Sequence, residues 1–323
     1  LCISGTHGKT TTTSMCTHIM MAAEKDPTVM IGGTLPLLHA CHRVGKGNTI
    51  IMESCEYYNS FLSLNPTIAV ILNIEADHLD FFKDIEDIKH SFRQFAERVP
   101  AETGTVIANC DDVNTMDALR GIERKVITFG LSPKADVYAE NITHRGSSSE
   151  FDIYHRGNLF AHVTLHVPGI HNVRNALAAT AAAIVLGVSP NAVKYGLAGF
   201  EGAGRRFDYK GKFQGADLYD DYAHHPSELR ALLDAVDTLD YQRTIVVFQP
   251  HTYSRTAKLF NDFVEQLRRP TIVYLAEMLR ARKTPSAFLL PIWPRRSRAR
   301  SFTRRLRRSR PSCAALPARA TLS

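Results

Sequence analysis

An α/β fold with a mostly parallel sheet, arranged as two domains, is predicted by three observations. The chain opens on a short apolar run, Leu1-Cys2-Ile3-Ser4, that feeds a Gly-rich turn and then a Thr-rich helical stretch. Apolar runs of strand length then alternate with stretches of helical character as far as residue 129. A second alternation of the same kind starts near Asp217. With 323 residues, 44% of them hydrophobic, the chain is long enough for two cores, since one domain usually takes roughly 100 to 200 residues.

Taken in order, residues 48–52, 68–72, 104–108 and 125–129 read as strands bounded by polar turns, with helices at 85–99 and 112–119 between them. Residues 135–167 change character. Short alternating pieces such as Phe151-Asp152-Ile153-Tyr154 and His162-Val163-Thr164-Leu165 predict a small antiparallel addition. Residues 172–186 are Ala-rich and apolar, as a buried helix requires. Beyond a cluster of Gly and Arg at 202–206, strands at 216–219 and 244–248 and helices at 227–238 and 254–267 predict an incomplete Rossmann-like α/β domain. The expected organisation is a central domain over 1–203, a C-terminal domain over 204–283, and an aberrant tail over 284–323.

The net charge of +7 invites a nucleic-acid reading, but its distribution argues against one. Residues 285–323 carry ten Arg and no Lys, Asp or Glu, so residues 1–284 are left at about −3. The tail has no usable period, and three readings compete for it: a basic nucleic-acid arm, a linker, or a frameshifted translation. The abrupt loss of every acidic residue beside strong α/β pattern favours the frameshift, and no nucleic-acid partner is expected. Reading the gene in another frame from near codon 283 should then restore an α/β sequence containing acidic residues. No run reaches the roughly 18 apolar residues of a membrane span, and the first residues lack the basic and apolar regions of a signal peptide. A soluble, intracellular protein is expected. Cysteines at 2, 16, 41, 55, 110 and 313 form no CxxC pair, which points to reduced, mostly buried thiols.

The chemistry begins at Gly5-Thr6-His7-Gly8-Lys9-Thr10, with Thr11 following. Between a strand and a helix, such a loop brings backbone amides, a lysine charge and a hydroxyl for Mg²⁺ to one polyphosphate, the layout of a P-loop-type ATP-binding domain. It departs from GxxxxGK[ST], because Ile3 stands where the first Gly belongs.

The form GTHGKTTTT resembles the ATP loop of the Mur ligase family. The resemblance extends over residues 1 to about 283 on five further motifs in the family's order: NIEADHLD at 73–80, PGIHNVRNA at 168–176, GRRF at 204–207, DDYAHHP at 220–226 and FQPHTYSR at 248–255. It implies ATP and Mg²⁺ as cofactors and a bacterial, cytoplasmic setting. Within the family, the motifs point to the branch that takes UDP-N-acetylmuramate and L-alanine. A sister peptide-recycling ligase, another Mur or folylpolyglutamate-type ligase, and a nucleotide-binding module without ligase activity stay open. The resemblance further implies that the family's N-terminal domain, which holds the UDP portion, precedes the ATP loop and is not represented here, and that the end of the C-terminal domain is replaced by the tail.

By that resemblance a substrate carboxylate attacks the γ-phosphate of ATP, and an amine then attacks the acyl phosphate. Charge builds on phosphoryl oxygens and then on a tetrahedral oxyanion, so the site needs cations and fixed donors rather than a nucleophile. Lys9 fits neutralisation of the β and γ phosphates. Thr10 and Glu56 fit Mg²⁺, a hard ion that prefers oxygen ligands. Glu56 lies in Glu53-Ser54-Cys55-Glu56, where the family usually has a carboxylate in place of Cys55. The resemblance makes His78 a ligand of a second Mg²⁺. Lys89 stands near a position that some relatives carbamylate, although a solvated helix face explains it equally well. Asn172 and Asn175, at i, i+3 spacing, suit contact with adenine, and a helix N-cap at Asn172 is the plainer alternative. Arg206 is assigned as the cation reaching from the hinge to the phosphates, with a surface salt bridge as its alternative. In DDYAHHP, Asp221 is assigned to the ribose and His224 to the substrate, in preference to a transition-metal site. His251 and Arg255 are assigned to the muramyl substrate, Arg because its fork pairs with a carboxylate or phosphate.

Overall fold

A computed structural model describes residues 1–277 and 300–301, and contacts divide the chain into two compact units, Leu1–Tyr241 and Gln242–Ser323. The predicted frameshifted tail lies almost entirely outside the described residues.

In the first unit the chain runs β1 (Cys2–Ser4), α1 (Lys9–Ala22), β2 (Thr28–Leu35), β3 (Ala40–Arg43), β4 (Ile50–Glu53), β5 (Ile68–Ile71), α2 (Ile85–Glu97), β6 (Thr105–Asn109), α3 (Val113–Ala118) and β7 (Val126–Gly130). It continues through β8 (Val137–Arg145), β9 (Ser148–His155), β10 (Asn158–Leu165), α4 (Ile170–Val185), α5 (Pro190–Ala198), β11 (Asp208–Phe213), β12 (Ala216–Asp220) and α6 (Pro226–Asp237). The first ten strands form one sheet in the order β10-β9-β8-β7-β6-β5-β1-β4-β2-β3. Pairing is parallel from β2 through β4, β1, β5, β6 and β7 to β8, and antiparallel for β2–β3 and for the β8–β9–β10 meander. The α/β class and the antiparallel addition over 135–167 agree with the sequence expectation.

The alternation of strand side chains sorts the core onto the two faces of this sheet. Ile3, Val70, Leu72 and Ile107 pack with Met15 and Ile19 of α1 and the alanines of α4. Cys2, Ala69, Ile71, Val106 and Ala108 pack with Phe92 and Phe95 of α2 and with Phe61. Helix α2 is amphipathic and starts where Asp84 accepts a hydrogen bond from the Asp87 amide. Burial of the Thr-rich helix α1 is eased by hydroxyls that find partners within the helix: Thr13, Ser14 and Thr17 each donate to the carbonyl four residues back at 2.8 Å, whereas the Thr12 hydroxyl is buried without a hydrogen-bond partner.

The second unit contains β13 (Ile245–Phe248), α7 (Tyr253–Lys258), α8 (Phe260–Leu267), β14 (Ile272–Leu275) and β15 (Arg300–Ser301), with the three strands parallel. The single helix expected over 254–267 is two, because Leu259 leaves helical geometry at φ −108°, ψ 25°. The boundary expected at 202–206 falls inside the first compact unit, which also takes in β11, β12 and α6, with α6 against α4.

Candidate active site

Strand β1 lies between β4 and β5, all parallel, so the segments that leave their carboxyl ends converge at one edge of the sheet. These are the Gly5–Gly8 loop, the turn Ser54-Cys55-Glu56 and the stretch from Asn73 to His78. The loop is locked to the last of these. The Thr6 amide donates to the Asn73 carbonyl at 3.0 Å, and the Asn73 side chain accepts from the His7 amide at 2.8 Å while donating to the His7 carbonyl at 3.0 Å. Gly5 at φ 143° and Gly8 at φ 85° take conformations that disfavour a side chain.

Lys9 opens α1 and turns its ammonium back over the loop. It donates to the Gly5 and Thr6 carbonyls and forms an ion pair with Glu56 at 2.9 Å. Burial, the largest single effect, would lower the Lys9 pKa, but the charge and hydrogen bond of Glu56 together with the charges of Cys55 and Glu53 outweigh it and raise it. Thr10 donates not to Glu56 but to Glu53, at 3.0 Å, and the other Glu53 oxygen accepts from the Gly32 amide at 2.7 Å. Glu53 is therefore a carboxylate of the site beside Glu56, and its position as the last residue of β4, at the head of the quoted acidic motif, is the signal for it. His78 Nε2 lies 3.9 Å from Glu56. Its ring stacks on Tyr57 at 4.2 Å, and Tyr57 is anchored by a 2.6 Å hydrogen bond to Asp80. Thr10 with Glu53, and Glu56 with His78, offer mainly oxygen donors, which suit a hard divalent cation such as Mg²⁺.

Helix α4 begins after Gly169, so Asn172 is not an N-cap, in correction of that alternative. It sits in the first turn, where its amide donates to the Pro168 carbonyl and its oxygen accepts from Asn175 at 3.2 Å. Asn175 is brought against the phosphate loop: a Cβ on Gly8 would lie 2.6 Å from the Asn175 side-chain oxygen.

The segment around α6 comes to the same edge. Asp221 holds the backbone amides of Phe207 and Ala223, each at 2.7 Å, and burial raises its pKa. Arg206 lies 3.9 Å from Glu228 and over the Tyr222 ring. His224 donates its backbone amide to Glu228 at 2.9 Å. Ser227 and Glu228, which sequence reading passed over, reach His7 across more than 200 positions of chain. Lys89 on α2 pairs with Glu86 and Asp117 at 2.7 and 2.9 Å, as a charged amine does. His251, after β13, and Arg255, in α7, belong to the second unit.

Residues 3–183 match the Mur ligase middle domain, and residues 205–291 match the Mur ligase glutamate ligase domain. The UDP-N-acetylmuramate–L-alanine ligase of Agathobacter rectalis is 47% identical over 284 residues, covering 88% of this chain and 62% of the relative. The enzyme of that name from Lachnospira eligens is 48% identical, with 87% of this chain and 62% of the relative covered. Among solved structures, the UDP-N-acetylmuramate-alanine ligase of Thermotoga maritima superposes with a TM-score of 0.73 at 28% identity, over 86% of this chain and 61% of that one. The chain spans about three-fifths of the length of these relatives. Because the middle-domain match alone takes in more than half of the chain, and the two matches follow one another along it, the protein belongs to the Mur ligase family.

Proposed function

We propose that this chain carries the ATP site and part of the substrate site of a ligase that joins L-alanine to UDP-N-acetylmuramate in peptidoglycan precursor synthesis, in the bacterial cytoplasm. The observation that carries the reading is the convergence of Lys9, Thr10, Glu53, Glu56 and His78 at the carboxyl ends of β1, β4 and β5. Residues 1–203 supply the nucleotide site, and 204–283 supply contacts to ribose and substrate.

In the reaction, a carboxylate oxygen of the muramyl substrate bonds to the γ-phosphorus and the bond to ADP breaks. The alanine amine then bonds to the acyl carbon, inorganic phosphate leaves, and the amine loses a proton. Lys9 exchanges its Glu56 partner for phosphate oxygens, where its point charge offsets the charge that builds there. Gly5, Thr6, His7, Gly8 and Thr11 line the polyphosphate with the head of α1, whose amides favour anions. Thr10, Glu56 and His78, with Glu53 behind Thr10, would hold Mg²⁺, which when bound draws charge from the phosphoryl oxygens. Arg206 supplies a second cation, Asn172 and Asn175 face the base, Asp221 takes the ribose, and His224, His251 and Arg255 take the muramyl side. The L-alanine reading is favoured over peptide recycling by the names of the relatives at 47% and 48% identity.

A chimera in which residues 1–283 replace the matching segment of the Agathobacter rectalis ligase tests the proposal. Phosphate release should require both UDP-N-acetylmuramate and L-alanine and should vanish with Lys9→Ala. Release that needs a peptide in place of L-alanine would overturn the substrate reading. A folded chimera that neither binds ADP nor releases phosphate would overturn the ligase reading.

A further inference from the structure

Beside the phosphate loop lies a half-buried cluster whose side-chain contacts the reaction leaves unexplained: His7, Glu75, His225, Ser227 and Glu228. His7 Nε2, Glu75 Oε2 and His225 Nδ1 converge on one point, and the Ser227 hydroxyl sits there, at 2.9, 2.7 and 2.6 Å respectively. His7, Glu75 and His225 are of metal-ligand type, with ligand atoms within 4.8 Å of one another. The serine hydroxyl at their centre accounts for them without an ion. The Ser227 hydroxyl has one proton and donates it to Glu75, so it accepts from His7, while the Ser227 amide donates to His225 Nδ1 at 3.3 Å. His7 must then carry a proton on Nε2. Its Nδ1 faces Glu228 Oε1 at 3.2 Å, and a carboxylate only accepts, so Nδ1 carries a proton as well. With the Glu75 and Glu228 carboxylates ionised, their pKa values being lowered, against burial, by His7, these contacts make His7 an imidazolium clasped between them.

The clasp is anchored at the head of α6. His225 is the N-cap, Pro226 follows, and the Glu228 side chain closes a capping box by accepting from the His225 amide at 3.2 Å and from the His224 amide at 2.9 Å. Glu228 is thereby fixed before it meets His7. The charged and titratable groups that bear on His7 are Glu75 from the segment after β5, and His225 and Glu228 at the head of α6, with Arg206 near the same Glu228 oxygen as His7, His224 at the other Glu228 oxygen, and Asp77 acting on His225.

We propose that Ser227 and Glu228 are positioning residues of the phosphate loop, acting through His7: they hold its ring as a fixed imidazolium beside the phosphate-binding amides and couple nucleotide binding to the head of α6. The proposal rests on the nucleotide reading above. Burial by itself would lower the His7 pKa, but the hydrogen bonds and charges of Glu228 and Glu75 prevail and hold it at about 9. The clasp is therefore complete below the ordinary histidine range and is released as pH rises through about 9.

The test uses the 323-residue chain with isotope-labelled histidine, the His7 resonance being assigned by its loss in His7→Gln. His7 should stay protonated to about pH 9 in the wild type. In Glu228→Gln its midpoint should fall by about one unit or more, a tenfold loss of proton affinity, and Glu228→Asp should restore part of it. Affinity for ADP, measured by calorimetry, should decline at the pH where His7 loses its proton and so at lower pH in Glu228→Gln. Ser227→Ala, which changes no charge, should weaken ADP binding several-fold and speed hydrogen exchange at residues 222–229. A His7 midpoint near the ordinary value, or one that Glu228→Gln does not move, would overturn the proposal. ADP binding with the same pH profile in wild type and Glu228→Gln would also overturn it while leaving the nucleotide reading intact. No ADP binding by the folded wild type would remove both, and is distinguishable on that ground.

Discussion

Gly5→Ala places a methyl group where the backbone leaving β5 already runs. At φ 143° the residue occupies a region that is essentially confined to glycine, and an alanine Cβ there would lie 2.8 Å from Leu72 Cβ and 3.1 Å from the backbone nitrogens of Leu72 and Asn73. Backbone strain of this kind costs about 1–3 kcal/mol, and forcing an extra carbon into packed surroundings costs about 1–3 kcal/mol more. Neither cost relaxes easily, because the neighbour is the central strand of the sheet and not a side-chain tip. Unfolding followed by circular dichroism should show the variant destabilised by roughly 2–6 kcal/mol, a fall in midpoint on the order of 10 °C for a unit of this size. Gly8→Ala is the contrast. Its Cβ meets the movable end of Asn175, at 2.6 Å, and the left-handed φ of 85° costs only about 1–2 kcal/mol. That variant should keep most of its stability and lose ADP affinity instead. A Gly5→Ala protein that melts with the wild type would refute the reasoning that the loop is pinned by contact with β5.

Lys9→Ala should abolish nucleotide binding and, by leaving the Glu56 carboxylate buried and unpaired, cost about 3–5 kcal/mol in a urea melt; Lys9→Ala with Glu56→Ala should recover most of that loss. Phe92→Ala empties the face of α2 that stacks edge-on against Phe61 at 5.2 Å, and should cost about 3–5 kcal/mol; a loss below 1 kcal/mol would mean that this core is not packed as described. His18 is buried on α1 against Phe200, and burial lowers its pKa to about 4. A lowered histidine pKa contributes stability that is present above about 6.5 and lost as pH falls through about 4, so His18→Gln should flatten the acid limb of the stability profile over that window. An acid limb unchanged by the substitution would exclude His18 as its source.

The parts of the fold legible in the sequence are those whose cause is local. Residues 68–72 and 104–108 are apolar because both faces of a central parallel strand are covered, and the Gly-Thr-His-Gly-Lys run marks a phosphate loop because glycine readily takes the backbone it needs. What stayed hidden depends on distant partners. A Cβ on Gly32, in the middle of β2, would lie 2.7 Å from Glu53, so glycine there serves a carboxylate 21 positions away that no local pattern announces. The break at Leu259 follows no Gly or Pro. Thr10 was matched to Glu56 by motif, while the structure gives its hydroxyl to Glu53 and gives Glu56 to Lys9. Ser227 and Glu228 read as an ordinary helix start, and only the fold reveals that this start faces His7.

The central claim is that the edge formed by β1, β4 and β5 binds a magnesium nucleotide. Calorimetric titration of ADP into the folded chain, with and without Mg²⁺, tests it most directly. The account predicts one site, tightened by Mg²⁺ in the wild type, with that tightening lost in Glu56→Ala or His78→Ala and all binding lost in Lys9→Ala. Binding that survives Lys9→Ala unchanged, or no binding by the folded wild-type chain, would contradict it.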